Sequence, residues 1–100
     1  AGERKGNRAQ APRGCMRLIF AENAWEDYLF WQRTDPKLVR RIHELIKDTT
    51  RHPFEGIGKP EPLRHALAGY WSRRITDEHR MVYKAVGDDL LIAQLRYHYA

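Results

Sequence analysis

With one cysteine in 100 residues, Cys15, the chain cannot close a disulfide within itself. That excludes the disulfide-stapled scaffolds of small secreted proteins and points to a reducing compartment, the cytoplasm. No run of 18 or more apolar residues is present, and residues 1–15 lack the apolar stretch of a signal peptide, so no membrane association is expected. His43, His52, His65, His79 and Cys15 have none of the spacings of a metal-ligand set. Phosphate-binding glycine loops and nucleophile elbows are missing as well. The expectation is therefore no metal and no cofactor.

What is present is enough for one small domain with its own core. The net charge is +5, but it is unevenly placed. In the opening "AGERKGNRAQAPRGC", Arg4, Lys5, Arg8 and Arg13 against Glu3 carry +3, which leaves +2 for residues 16–100. Residues 1–15 read as a flexible basic tail and Met16 as the start of the folded unit. A basic balance concentrated in a tail is weak evidence for nucleic-acid binding, so the placement of charge within the domain matters more.

"MRLIFA" has the length and apolarity of a strand. In "ENAWEDYLFWQRT", Asn23 with Glu26 resembles a capping box, and Ala24, Tyr28 and Trp31 share a helical face. Trp25, Tyr28, Phe30 and Trp31 supply core packing, with Phe30 or Tyr28 the candidates for an exposed binding patch. "DPKLVRRIHELIKDTTR" predicts a second helix, capped by Asp35, started by Pro36, and apolar at Leu38, Ile42, Leu45 and Ile46. His43 falls on its solvated face. A long loop follows, broken by prolines and glycines, with a helical turn near Leu63 to Leu67. "YWSRRI", "HRMVYKAV" and "LLIAQLRYHY" then read as three strands joined by "TDE" and "GDD" into consecutive antiparallel hairpins. The fold class is α+β, with two N-terminal helices on one face of a mainly antiparallel sheet, in the order β-α-α-β-β-β.

Three-residue connectors set a register in which Ile75 faces His79 and Val86 faces Leu90. Arg74 then lies opposite Arg80, and Arg80 opposite Arg96, on a face shared with Ser72, Lys84, Gln94 and His98. Trp71, Ile75, Met81, Tyr83, Ala85, Leu91, Ala93, Leu95 and Tyr97 take the helix-covered face, beside Arg73. Like charges directly opposite in a ladder are destabilising unless an anion lies among them. An anion site follows, with His98 able to exchange a proton near neutral pH. The carboxylate to go with it is Glu61 of "KPEPLRH", presented between Pro60 and Pro62 with little conformational freedom.

"GIGKPEPLRHALAGYWSRRITDEHRMVY" with the terminal "RYHY", together with "AWEDYLFWQ" and "IHELIKDT", resembles the YoeB toxins of the RelE superfamily from Met16 to Tyr99. The resemblance implies a ribosome-dependent endoribonuclease that cuts mRNA in the A site of the ribosome, a YefM-type antitoxin as partner, a homodimer, and a helix-on-sheet fold. It also implies Glu61 as general base, Arg80 as the phosphate-stabilising cation, His98 as general acid, and a part for Tyr99. Alternation alone puts Tyr99 on the side opposite His98, so either the strand ends before it or its role is structural. Arg64 and Arg74 suit flanking phosphates, with Lys59 and Arg96 nearby in the same basic set. Two other readings share these residues: a ParE-like gyrase poison, which has no need of Glu61, Arg80 and His98 together, and a non-catalytic nucleic-acid-binding module.

Overall fold

Asp35 ends one helix and begins the next. In the computed structural model, which describes residues 16–97, its N–H donates to the Trp31 carbonyl at 2.8 Å and so closes α1 (Glu22–Thr34). Its carboxylate accepts from the N–H groups of Lys37 and Leu38 at 3.1 and 3.3 Å, opening α2 (Pro36–Arg51) with Pro36 in the first turn. The Asn23–Glu26 capping box is not used. α1 begins one residue before Asn23, with Ala21 in the N-cap position and no side-chain cap. Ala24 and Trp31 of α1 and Ile42, Leu45 and Ile46 of α2 are buried, as their periodicity required.

Among the described residues, five strands, β1 (Arg17–Phe20), β2 (Glu61–Pro62), β3 (Trp71–Arg74), β4 (Arg80–Val86) and β5 (Asp89–Gln94), lie in the order β1-β5-β4-β3-β2. β1 runs parallel to β5, and β5, β4 and β3 form the antiparallel centre. β2, only Glu61–Pro62, is an edge strand where the prolines and glycines of the sequence predict loop. Pro62 is tolerated there because an edge strand has one side free of ladder bonds. The helical turn foreseen nearby is a 3-10 turn at His65–Leu67. Both helices pack on the same sheet face, where Met81, Tyr83, Leu90, Ile92 and Leu95 complete the core.

The β3–β4 register is the expected one: the Ile75 N–H donates to the His79 carbonyl at 2.9 Å, and Arg74 is paired with Arg80. The β4–β5 register differs. Val86 pairs with Asp89, so the connector has two residues, with positive φ only at the first of them, Gly87, as in a type II′ turn. That one-residue change turns Leu90 and Ile92 into the core and leaves the expected Leu91 and Ala93 half-buried on the other face. A bulge opposite Val82 and Tyr83 then adds one residue, pairs Val82 with Gln94 and restores Leu95 to the core.

Arg73 ties the long loop to this frame. Its side chain is fully buried; Nη1 donates to Asp48 Oδ2 at 2.7 Å and to the Ile57 carbonyl at 3.1 Å. Nη2 donates to the carbonyls of His52 and Glu55, and Nε to the Tyr83 hydroxyl at 3.2 Å. Gly56, at φ +121°, is required here, since a β-carbon would lie 2.0 Å from Asp48 Oδ2.

Candidate active site

Glu61 is positioned by the short β2–β3 pairing, which sets it directly across from Ser72. Cross-strand partners share a face, so Glu61, Ser72, Val82, Arg74 and Arg80 point to the side away from the helices. Two strand spacings and two residues along the strand put the Cα atoms of Glu61 and Arg80 roughly 12 Å apart, a gap that their side chains can close onto a phosphodiester. Glu61 is exposed and lines a cleft of about 510 Å³ with Pro60, Pro62, Leu63, Arg64, His65 and Leu67. Arg64 shares that cleft. Lys59 precedes it, exposed and in the left-handed region at φ +51°.

Arg80 is nearly buried and held by its own turn. Its Nη1 donates to the carbonyls of Thr76, Asp77 and His79 at 2.7, 3.0 and 3.3 Å, which fixes the guanidinium before any ligand arrives. Arg74, opposite, is half-buried; its N–H donates to the Gly58 carbonyl at 2.7 Å and its carbonyl accepts from Arg41 Nη2 at 3.4 Å. Its Nε is buried and has no hydrogen-bond partner among the described residues. A buried donor without an acceptor is costly, and across the ladder from a second arginine it offers a place for an anion. Lys84 lies further along the same face, with Nζ 5.3 Å from the centre of the Tyr70 ring.

Arg96 does not join the arginine face. β5 ends at Gln94, the chain bends over residues 95–97, and the Arg96 guanidinium sits 3.6 Å from the centre of the Phe30 ring on α1. Phe30 is thus a stacking partner rather than a free patch. His98 and Tyr99 lie outside the described residues. Their approach is visible up to Tyr97, an exposed residue at φ +65°. Lys59, His65 and Tyr97 are the described non-glycine residues with positive φ, and all three stand in the segments that carry the candidate groups.

The sequence reading missed His79. Its Nδ1 accepts from the Tyr97 N–H at 2.7 Å, a contact between residues 18 apart that no local pattern announces. At the opposite edge of the sheet, Leu18, Phe20, Trp25, Tyr28, His43 and Ile46 line an apolar cleft of about 780 Å³. There the Tyr28 hydroxyl lies 2.7 Å from His43 Nε2, so His43, exposed as expected, is also hydrogen-bonded. Among the described residues, no helix is long and apolar enough to cross a membrane.

Comparison with known proteins bears on the family and the fold. The family described as the YoeB-like toxin of bacterial type II toxin-antitoxin systems matches residues 20–99. Toxin YoeB of Escherichia coli K12 is 64% identical over 84 residues, which is 84% of this chain and all of that one. Among solved structures, the YoeB dimer from Staphylococcus aureus superposes with a TM-score of 0.79 at 46% identity, over 84% of this chain and 98% of that one. The YoeB-YefM complex from the same organism gives a TM-score of 0.78 at 45% identity, with the same coverage.

Proposed function

The chain belongs to the YoeB-like toxins of bacterial type II toxin-antitoxin systems, and from that membership we propose that it is an endoribonuclease cutting mRNA in the A site of the translating ribosome. On this reading Glu61 takes the proton from a 2′-hydroxyl, whose oxygen attacks the neighbouring phosphorus. Arg80, with Arg74 beside it, stabilises the charge that builds on the phosphorane, and His98 protonates the departing 5′-oxygen. The products are a 2′,3′-cyclic phosphate, or the 3′-phosphate from its hydrolysis, and a 5′-hydroxyl. Lys59 and Arg64 hold flanking phosphates, and Tyr99 completes the terminal pair with His98. No step calls for a metal.

The observation that carries this reading is the buried, unpartnered Nε of Arg74, directly across the ladder from a pre-oriented Arg80 and on the face of Glu61. Such a pair is repulsive when empty and favourable with an anion between its members, which is the requirement of a developing phosphorane. The dimer and the YefM complex of the Staphylococcus aureus relatives support a homodimer and a YefM-type antitoxin for this chain. An acidic antitoxin segment, disordered when free, would mask the face of Arg74, Arg80 and His98.

The test is primer extension on a translated mRNA in a purified system, with and without ribosomes, followed by analysis of the new ends in the presence of a chelator that spares the ribosome's own ions. Stops that require translation, with 5′-hydroxyl ends, are expected. Ends bearing a 5′-phosphate overturn the chemistry, and gyrase-linked DNA breaks in place of RNA stops overturn the function. Glu61→Gln and His98→Gln should each lower cleavage at least about tenfold, the range for a general base or acid. Arg80→Lys should do so too, as a loss of phosphorane stabilisation.

A further inference from the structure

The residue delivered as general acid on the reading above, His98, follows a bend that is held from several directions. β5 stops at Gln94, whose Nε2 turns forward to donate to the carbonyls of Arg96 at 2.6 Å and Tyr97 at 3.3 Å. The Tyr97 carbonyl also accepts from the Arg80 N–H at 3.1 Å, and the Arg96 guanidinium rests on Phe30. The Tyr97 N–H goes to His79 Nδ1 at 2.7 Å. The His79 ring is itself set edge-on against buried Trp31, centroid to centroid 4.8 Å, so it is not free to follow a moving chain. Trp31 in turn donates from Nε1 to the Leu95 carbonyl at 2.9 Å.

A backbone N–H can only donate, so Nδ1 of His79 carries the lone pair here and the ring proton sits on Nε2. Tyr97 adopts φ +65°, a conformation that an L-residue enters only when its surroundings select it. The acceptor at His79 is such a selection, because it specifies where the Tyr97 N–H points, while the Arg80 N–H and Gln94 Nε2 hold the Tyr97 carbonyl on the other side. An imidazole on a freely rotating tail would spend little time in line with a leaving oxygen, and a displacement of about 1 Å can cost on the order of a hundredfold in rate.

We infer that His79 is a positioning residue for the cleavage: its Nδ1 anchors the amide of Tyr97, the residue directly before His98, without touching RNA itself. This rests on the assignment of His98 as general acid. His79→Leu removes the acceptor, whereas His79→Asn returns one, since the Asn side-chain oxygen stands near the place of Nδ1. Single-turnover cleavage on saturating programmed ribosomes should fall about tenfold or more in His79→Leu, recover to within about threefold of wild type in His79→Asn, and leave ribosome affinity unchanged in both. The Tyr97 amide should exchange with solvent slowly in wild type and His79→Asn, and fast in His79→Leu.

Equal losses in the Leu and Asn variants that track their melting temperatures overturn the inference, as does a wild-type rate in a folded His79→Leu. His79→Leu made in the His98→Gln background separates this failure from failure of the site. If His98→Gln alone cleaves at the wild-type rate, the assignment of His98 falls. If His98→Gln is slow and His79→Leu slows it further by its full single-mutant factor, His98 stands and the positioning role of His79 falls, because residues acting through one group are not additive.

Discussion

Arg73 and Arg74 are neighbours of the same type with opposite work. Alternation sends Arg73 under the helices, where Asp48, Tyr83 and the backbone of the loop consume its donors. Arg74 faces the other side, its Nε without a partner among the described residues. Truncating a fully buried guanidinium leaves its acceptors unpaired, so Arg73→Ala should cost about 3–5 kcal/mol in urea unfolding. Arg74→Ala should stay within about 1 kcal/mol of wild type and lose activity instead. Equal activity losses at unchanged stability would refute the two-face assignment. The same ion pair makes an acid prediction. The hydrogen bond from Arg73 holds the Asp48 carboxyl below its ordinary value of 3.8. A carboxyl depressed on folding stabilises above its unfolded value and loses that contribution as pH falls through the folded one. Urea melts from about pH 6 to pH 2 should therefore show a steeper acid loss in wild type than in Asp48→Asn.

At the scale of elements, the decisive feature is the phase of β5. The two-residue turn at Gly87 and Asp88 and the bulge before Gln94 each shift the strand by one residue, and the two shifts together bring both Ile92 and Leu95 into the core. Ile92→Ala and Leu95→Ala should each cost about 2–5 kcal/mol, the range for deleting buried aliphatic side chains. Leu91→Ala, on the half-buried outer face, should cost about 1 kcal/mol. A larger loss at Leu91 than at Ile92 in chemical denaturation would restore the three-residue connector. The bulge has a consequence for the site as well. It comes just before the bend at residues 95–97, where Arg96 turns to Phe30 and Tyr97 meets His79.

For the whole molecule, the uneven charge makes a separable prediction. Among the described residues, those buried in the core lie between Ala24 and Leu95, while residues 1–15 carry +3 of the net +5. A chain beginning at Met16 keeps every one of those core residues and should unfold within about 2 °C of the full chain. Its binding to programmed ribosomes should weaken less steeply with salt, because fewer cations displace counterions from phosphate. A filter-binding titration across salt concentrations measures that slope. The same slope in both chains would mean that only the folded face, with Arg64, Arg74 and Arg80, meets the RNA.

The sequence alone determined what is local. The 3.6-residue stripe of α2, its Asp35–Pro36 start, the Thr76-to-Glu78 hairpin and the opposition of Arg74 to Arg80 all follow from periodicities carried within a few neighbouring residues. Glu61 could be read as a presented carboxylate for the same reason, since its flanking prolines act on their own dihedral angles. Only the tertiary structure decided the tighter Gly87 turn, the compensating bulge and the two-residue strand that aligns Glu61 with Ser72. It also decided the seat of Arg96 on Phe30 and the grip of His79 on Tyr97. These are contacts between residues far apart in the chain, settled by which side chains fill the core together, and a strand's alternation cannot reveal them once a single residue has been added or removed.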